Sequence, residues 1–168
     1  NWNNKNQSQR NRGVMEGYFA NVDDSTKLSI YNADVFINDI NWSIDSNNLV
    51  TMFKDRMLFH DFNIKAGPSK FSLVGIVPKS ENDSLVAKFY DWDIENFNIL
   101  TEPYNLRLYG QINGELKLGM IKDNPTLSSN INISKLGIND EILGKAEIIN
   151  TWNNSSNTVW INTNIVKE

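Results

Sequence analysis

The sequence predicts an all-β protein whose long, one-sided strands build a curved sheet, a closed β-sandwich being the alternative. Three observations carry this. From about residue 13 onward the apolar residues recur with period two almost everywhere, and side chains on a strand alternate between faces. The runs are separated by short clusters rich in Asn, Asp, Ser, Gly or Pro, such as "DDST", "AGPS", "SENDS", "KDNP" and "WNNSSN", which make tight reversals. The runs are also long, well beyond the roughly 5–6 residues usual for a strand.

Residues 1–12, "NWNNKNQSQRNR", are polar apart from Trp2 and are expected as a loop or frayed lead-in. Residues 13–168 are expected as a β-repeat segment of a longer chain, because the sequence starts at Asn1 rather than Met and stops within a strand pattern. "GVMEGYFANV" reads as a strand. "LSIYNADVFINDINWSI" reads as one long strand or two, with a change of parity around Asn32 to Asp34. "LVTMF" follows, then "MLFHDFNIKA", where the apolar parity switches from Phe59 to Phe62, Ile64 and Ala66. "KFSLVGIV" and "LVAKFYDWDI" each carry one apolar face. "IENFNILT" has apolar residues at 94, 97 and 100, the spacing of a single helical turn.

The most regular stretch is "YNLRLYGQINGELKLG". Leu106, Leu108, Ile112, Leu116 and Leu118 share one parity with Gly110 and Gly114, while Asn105, Arg107, Gln111, Asn113, Glu115 and Lys117 hold the other. Unbroken, residues 106–120 would span roughly 50 Å at about 3.3 Å per residue, so the two glycines are expected to bend or bulge the strand. "TLSSNINIS", "INDEILGKAEIINT" and "NTVWINTNIV" complete a set of ten to twelve strands.

The bulk composition narrows the function classes. The 168 residues suit one domain, with 40% hydrophobic residues and 21% charged, enough to fold around a core. The net charge is −4 and no long basic run is present, which argues against a phosphate-tracking nucleic-acid surface. There are no cysteines, hence no disulfides or thiolate metal sites. No apolar run approaches the roughly 20 residues of a membrane helix. The 27 asparagines are attributed to base composition rather than to function.

Motifs for chemistry are sparse. The one histidine, His60 in "LFHDF", is expected to be a strand residue facing solvent. Asp91, Asp93 and Glu95 in "DWDIE" would share a face if extended and could then approach a divalent cation. They lack the glycine and distal glutamate of a calcium loop, and a solvated outer face is the simpler reading. The glycines of "GQINGELKLG" lie on strand positions rather than before a helix, so no phosphate cradle is expected. The five tryptophans fall at scattered parity, as core or sheet-edge packing would place them. No catalytic residue, metal site or cofactor is expected.

The stretch Leu106 to Val166 resembles a repeat unit of the TamB family, the AsmA-like envelope proteins. "YGQINGELKL", "NPTLSSNINISKLGIN" and "ILGKAEIINTW" carry the likeness. Gly110 and Gly114 match a Gly-x-x-x-Gly strand, Pro125 the turn that follows, and Ile131 with Ile133 the next strand. "GINDEILG" matches the fourth element, with Asp140 where glycine is more usual. The likeness extends over about residues 28–166. It implies a segment of a long protein in the periplasm of a two-membrane bacterium, tethered to the inner membrane by a segment outside this chain. Family members stack β units into an open trough with an apolar concave lining, the β-taco, so the resemblance implies an elongated, curved, open β-sheet trough with an apolar concave face here. They are implicated in phospholipid transport between inner and outer membranes and in outer-membrane protein assembly, as the translocation and assembly module with an Omp85-type outer-membrane protein. The implied partners are phospholipid acyl chains, that outer-membrane protein and neighbouring repeats of the same chain.

The expected lipid-groove residues are Leu106, Leu108, Ile112, Leu116, Leu118, Met120, Ile131, Ile133, Ile142, Ala146, Ile148, Val159, Ile161 and Ile165, each sharing the parity of its strand's oily face. The alternative function is a β-sandwich binding or adhesion module for a glycan or protein ligand, which requires two sheets face to face and an exposed aromatic platform.

Overall fold

A computed structural model describes residues 2–6, 9–37, 40–77, 80, 82–119, 126–153, 156 and 158–167. The strands are β1 (Trp2–Asn6), β2 (Gln9–Val22), β3 (Ser25–Ile37), β4 (Ile40–Ile44), β5 (Leu49–Phe53), β6 (Met57–Ala66), β7 (Ser69–Ile76), β8 (Ser84–Asp93), β9 (Leu108–Gly119), β10 (Thr126–Ile138), β11 (Glu141–Asn153) and β12 (Thr158–Val166). All belong to one sheet, ordered β1-β2-β3-β4-β6-β7-β8-β9-β10-β11-β12, with β5 paired to β3 and β6. Every pairing is antiparallel. The protein is therefore all-β, an open meander rather than two packed sheets. Within the expected lead-in at residues 1–12, the described residues 2–6 and 9–12 form β1 and the start of β2, joined from Trp2↔Gly13 to Asn6↔Gln9.

The "LSIYNADVFINDINWSI" run divides into β3 and β4. β4 and β5 fill one slot end to end: β4 covers β3 at Val35–Ile37 and β6 at Ile64–Ala66, and β5 covers β3 at Ser25–Leu28 and β6 at Met57–His60. The gap between them leaves Ile30 of β3, paired with Gly17 of β2 on its other side, without a strand on this one. Asn48, which is buried, fills it with its side-chain amide. Its Oδ1 accepts from the Ile30 N–H at 3.0 Å, and its Nδ2 donates to the Ile30 carbonyl at 2.5 Å and to the Asp45 carbonyl. One side chain thus replaces a missing rung of the ladder. Asn98 does the same for Leu108, accepting from its N–H at 2.7 Å and donating to its carbonyl at 3.0 Å.

The parity changes in the sequence are β-bulges. Register shifts fall at Ile30–Ala33 of β3, Phe59–Phe62 of β6, Phe89–Trp92 of β8 and Ile133–Leu136 of β10. Each is an apolar residue, two others, then an apolar residue, so the extra position returns the second apolar side chain to the same face. Asp61, Asp91 and Lys135 take positive φ within three of them. At β8, the Asp91 N–H donates to Asn113 Oδ1 and Asn113 Nδ2 donates to the Asp91 carboxylate, both at 2.9 Å, while Ser69 Oγ donates to the Asp91 carbonyl at 2.6 Å.

The glycines of β9 lie beside these bulges. Gly110 has φ +125° and Gly114 +136°. A Cβ on Gly110 would stand 2.7 Å from the Ser134 carbonyl oxygen, and one on Gly114 would strike the Asn130 carbonyl. The strand runs from Leu108 to Gly119 with the irregularities borne by its partners β8 and β10. The expected helical turn is present as Ile94–Phe97, Asn98–Thr101 and Glu102–Tyr104.

Candidate functional site

Residues directly opposite one another in a sheet lie on the same face, so the register traces one face across the molecule. It runs from Met15 and Phe19 of β2 through Leu28 and Val35 of β3 to Trp42 and Ile44 of β4. Val50 of β5, with Phe59, Phe62 and Ile64 of β6, continues it to Phe71 and Leu73 of β7. Leu85, Ala87, Phe89 and Trp92 of β8 then meet Ile112, Leu116 and Leu118 of β9. From there it crosses Leu127, Ile131 and Ile133 of β10, Ala146 and Ile148 of β11, and Val159, Ile161 and Ile165 of β12. The opposite face carries Lys88, Glu115, Lys117, Asn130, Asn132, Glu147 and Asn164 in the same registers.

This apolar face is concave. Trp42 of β4 and Trp92 of β8 have ring centroids 5.6 Å apart with β6 and β7 between their strands. Three strand steps in a flat sheet would separate them by roughly 14 Å. One end is covered by the Ile94–Tyr104 segment: Ile94 joins Trp92, Ile112, Ile133, Leu136 and Ala146 in a buried cluster, and Phe97 and Leu108 pack against it. Toward the other end Leu85, Ala87, Leu116, Leu118 and Leu127 are only half-buried. The sheet thus forms a trough, filled at one end and open at the other.

The expected lining residues divide accordingly. Ile112 (8% exposed), Ile133 and Ala146 (3%) are in the filled end, with Leu108, Ile131 and Ile148 packed against them. Leu116 and Leu118 line the open end. Leu106 precedes β9 and is half-buried in the linker. Val159, Ile161 and Ile165 share the face by register, but on an edge strand with no neighbour beyond it Ile161 is 67% exposed. Met120 lies outside the described residues. Ile142 is a correction: it pairs with Gly137 and is 72% exposed. A register shift at Leu136/Gly137 turns it to the outer face, and Leu143 packs against the core instead, because a slip of one residue exchanges the two faces.

The acidic run does not share a face either. Asp91 sits in the β8 bulge, Asp93 accepts from the Glu95 N–H at 2.9 Å as the cap of the first helical turn, and Glu95 lies within that turn. Among the described residues no group of three or more His, Cys, Asp or Glu is arranged to hold a metal. His60 is exposed beside the β6 bulge.

Not everything on the apolar face is apolar. Ser129 pairs with Leu116 on one side and Asn150 on the other, and Asn150 pairs with Ile161. Trp152 is next on that face of β11, opposite Val159. Ser129 Oγ, Asn150 Oδ1 and Trp152 Nε1 are buried without a hydrogen-bond partner in the protein, as is Trp92 Nε1 at the covered end. Strand periodicity marks Ser129 and Asn150 as polar interruptions of an oily face; only the register makes them neighbours.

Comparison with protein-family models, with curated proteins and with solved structures finds no match for this chain.

Proposed function

We propose that this chain is a segment of a TamB-like protein whose trough shields acyl chains from water during phospholipid transport between two membranes. The observation that carries the reading is the continuous apolar face, concave and half-open, traced from β2 to β12 through paired residues. A groove of this kind covers tails while the headgroup remains in water, and each shielded methylene is worth about 0.8 kcal/mol. The periplasmic setting, the inner-membrane tether outside this chain, the neighbouring repeats and the Omp85-type partner belong to the same proposal and rest on the resemblance of Leu106 to Val166. The competing sandwich module needs two sheets face to face, and all the described strands belong to one.

Native mass spectrometry of the purified chain, with lipid extraction from the same sample, tests this. Phospholipid should co-purify and be lost in a Leu116→Glu/Leu118→Glu variant that keeps its β-type circular dichroism. Lys117→Glu, on the outer face, should retain it. A folded chain free of lipid, or a double variant that still carries it, would defeat the proposal.

A further inference from the structure

We infer that the open half of the trough holds a polar notch, formed by Ser129, Asn150 and Trp152, that recognises an acyl carbonyl with a hydroxyl or amide N–H close by. The inference rests on the trough reading above and names the part of the ligand that the trough seats.

Ser129 is only 7% exposed, and its hydroxyl, Asn150 Oδ1 and Trp152 Nε1 all lack a partner in the protein. Buried polar atoms are nearly always hydrogen-bonded, and each orphan is costly. Three adjoin here, on one face of β10 and β11. The set is complementary to a specific chemistry. Trp152 Nε1–H donates only, the Ser129 hydroxyl donates or accepts, and Asn150 Oδ1 accepts only. A carbonyl oxygen takes the first two, and an adjacent O–H or N–H serves the third. Around Ser129 the inward-facing Leu116, Leu118, Ile131, Ile148 and Ile161 carry no charge, Glu141 lying opposite Ile138 toward the covered end, so the notch suits a neutral group and offers nothing to a phosphate. Tails would then lie along Leu85, Ala87, Leu116, Leu118 and Leu127, with the linkage between tail and polar end at Ser129.

Titration of the chain with monooleoylglycerol and with its 1-O-ether counterpart, followed by native mass spectrometry, separates the notch from the trough. The ether keeps the tail and hydroxyls and removes the carbonyl. The ester should bind about five- to tenfold tighter, the worth of one or two net hydrogen bonds. Ser129→Ala and Trp152→Phe should each reduce that preference to about twofold or less and leave the ether's affinity unchanged. Ser129→Ala should also hold or raise Tm, since it removes an orphaned polar atom; a lowered Tm would make the hydroxyl structural and overturn the notch. Equal affinity for ester and ether, or a preference that survives both substitutions, overturns the notch and leaves the trough standing. Failure of both lipids to bind overturns the notch and leaves the trough to the phospholipid test above.

Discussion

Trp42 and Trp92 meet edge to face, ring centroids 5.6 Å apart at 67°, although two strands lie between those that carry them. Phe71 and Phe97 stand 5.7 and 6.4 Å from Trp92, so one indole joins β4, β7 and the helical linker. A single-layer sheet has no second layer to cover its apolar face. Here curvature and the Ile94–Tyr104 segment serve instead.

Trp92→Ala should therefore destabilise the fold by about 3–5 kcal/mol, the range for deleting a large buried aromatic. Trp160→Ala, on the edge strand and largely exposed, should change stability by less than about 1 kcal/mol. Urea unfolding followed by circular dichroism compares them. Equal effects would mean that Trp92 does not hold the curved sheet together.

The shift at Leu136/Gly137 assigns Leu143 inward and Ile142 outward. Leu143→Glu should lower Tm sharply, while Ile142→Glu should be near neutral. The reverse order in a thermal melt would place the register one residue away.

Asn48→Ala should cost about 2–3 kcal/mol, because it strands the Ile30 N–H and carbonyl in the gap between β4 and β5. Asn48→Asp should be at least as harmful, since a carboxylate cannot donate to the Ile30 and Asp45 carbonyls. Chemical denaturation of the two variants decides; an Asp variant as stable as wild type would show that the amide donors do not matter.

Gly114→Ala should destabilise by about 2 kcal/mol or more, since the added methyl meets the Asn130 carbonyl and φ is positive. Hydrogen exchange should show the loss first in β9 and β10. A variant within about 0.5 kcal/mol of wild type would mean that the strands do not approach so closely there.

Much of this was legible before folding. Alternation, turn clusters and long runs indicated an all-β sheet with one oily face, and the switch from Phe59 to Phe62 already had the spacing of a bulge. Ile142 shows the limit. Its parity matched its neighbours, but a bulge in the pairing moved it to the other side. Asn48 shows another: no local pattern says that an asparagine side chain will complete a strand eighteen residues away.

Strand identity and the apolar stripe follow from period two, a property of the chain alone, because side-chain direction on a strand is a local geometric fact. Which residues share the stripe after each bulge, how far the sheet curls to bring Trp42 onto Trp92, and whether Ser129 adjoins Asn150 are set by pairing between distant segments. Register and curvature are relations between strands, and they came into being only when the strands met.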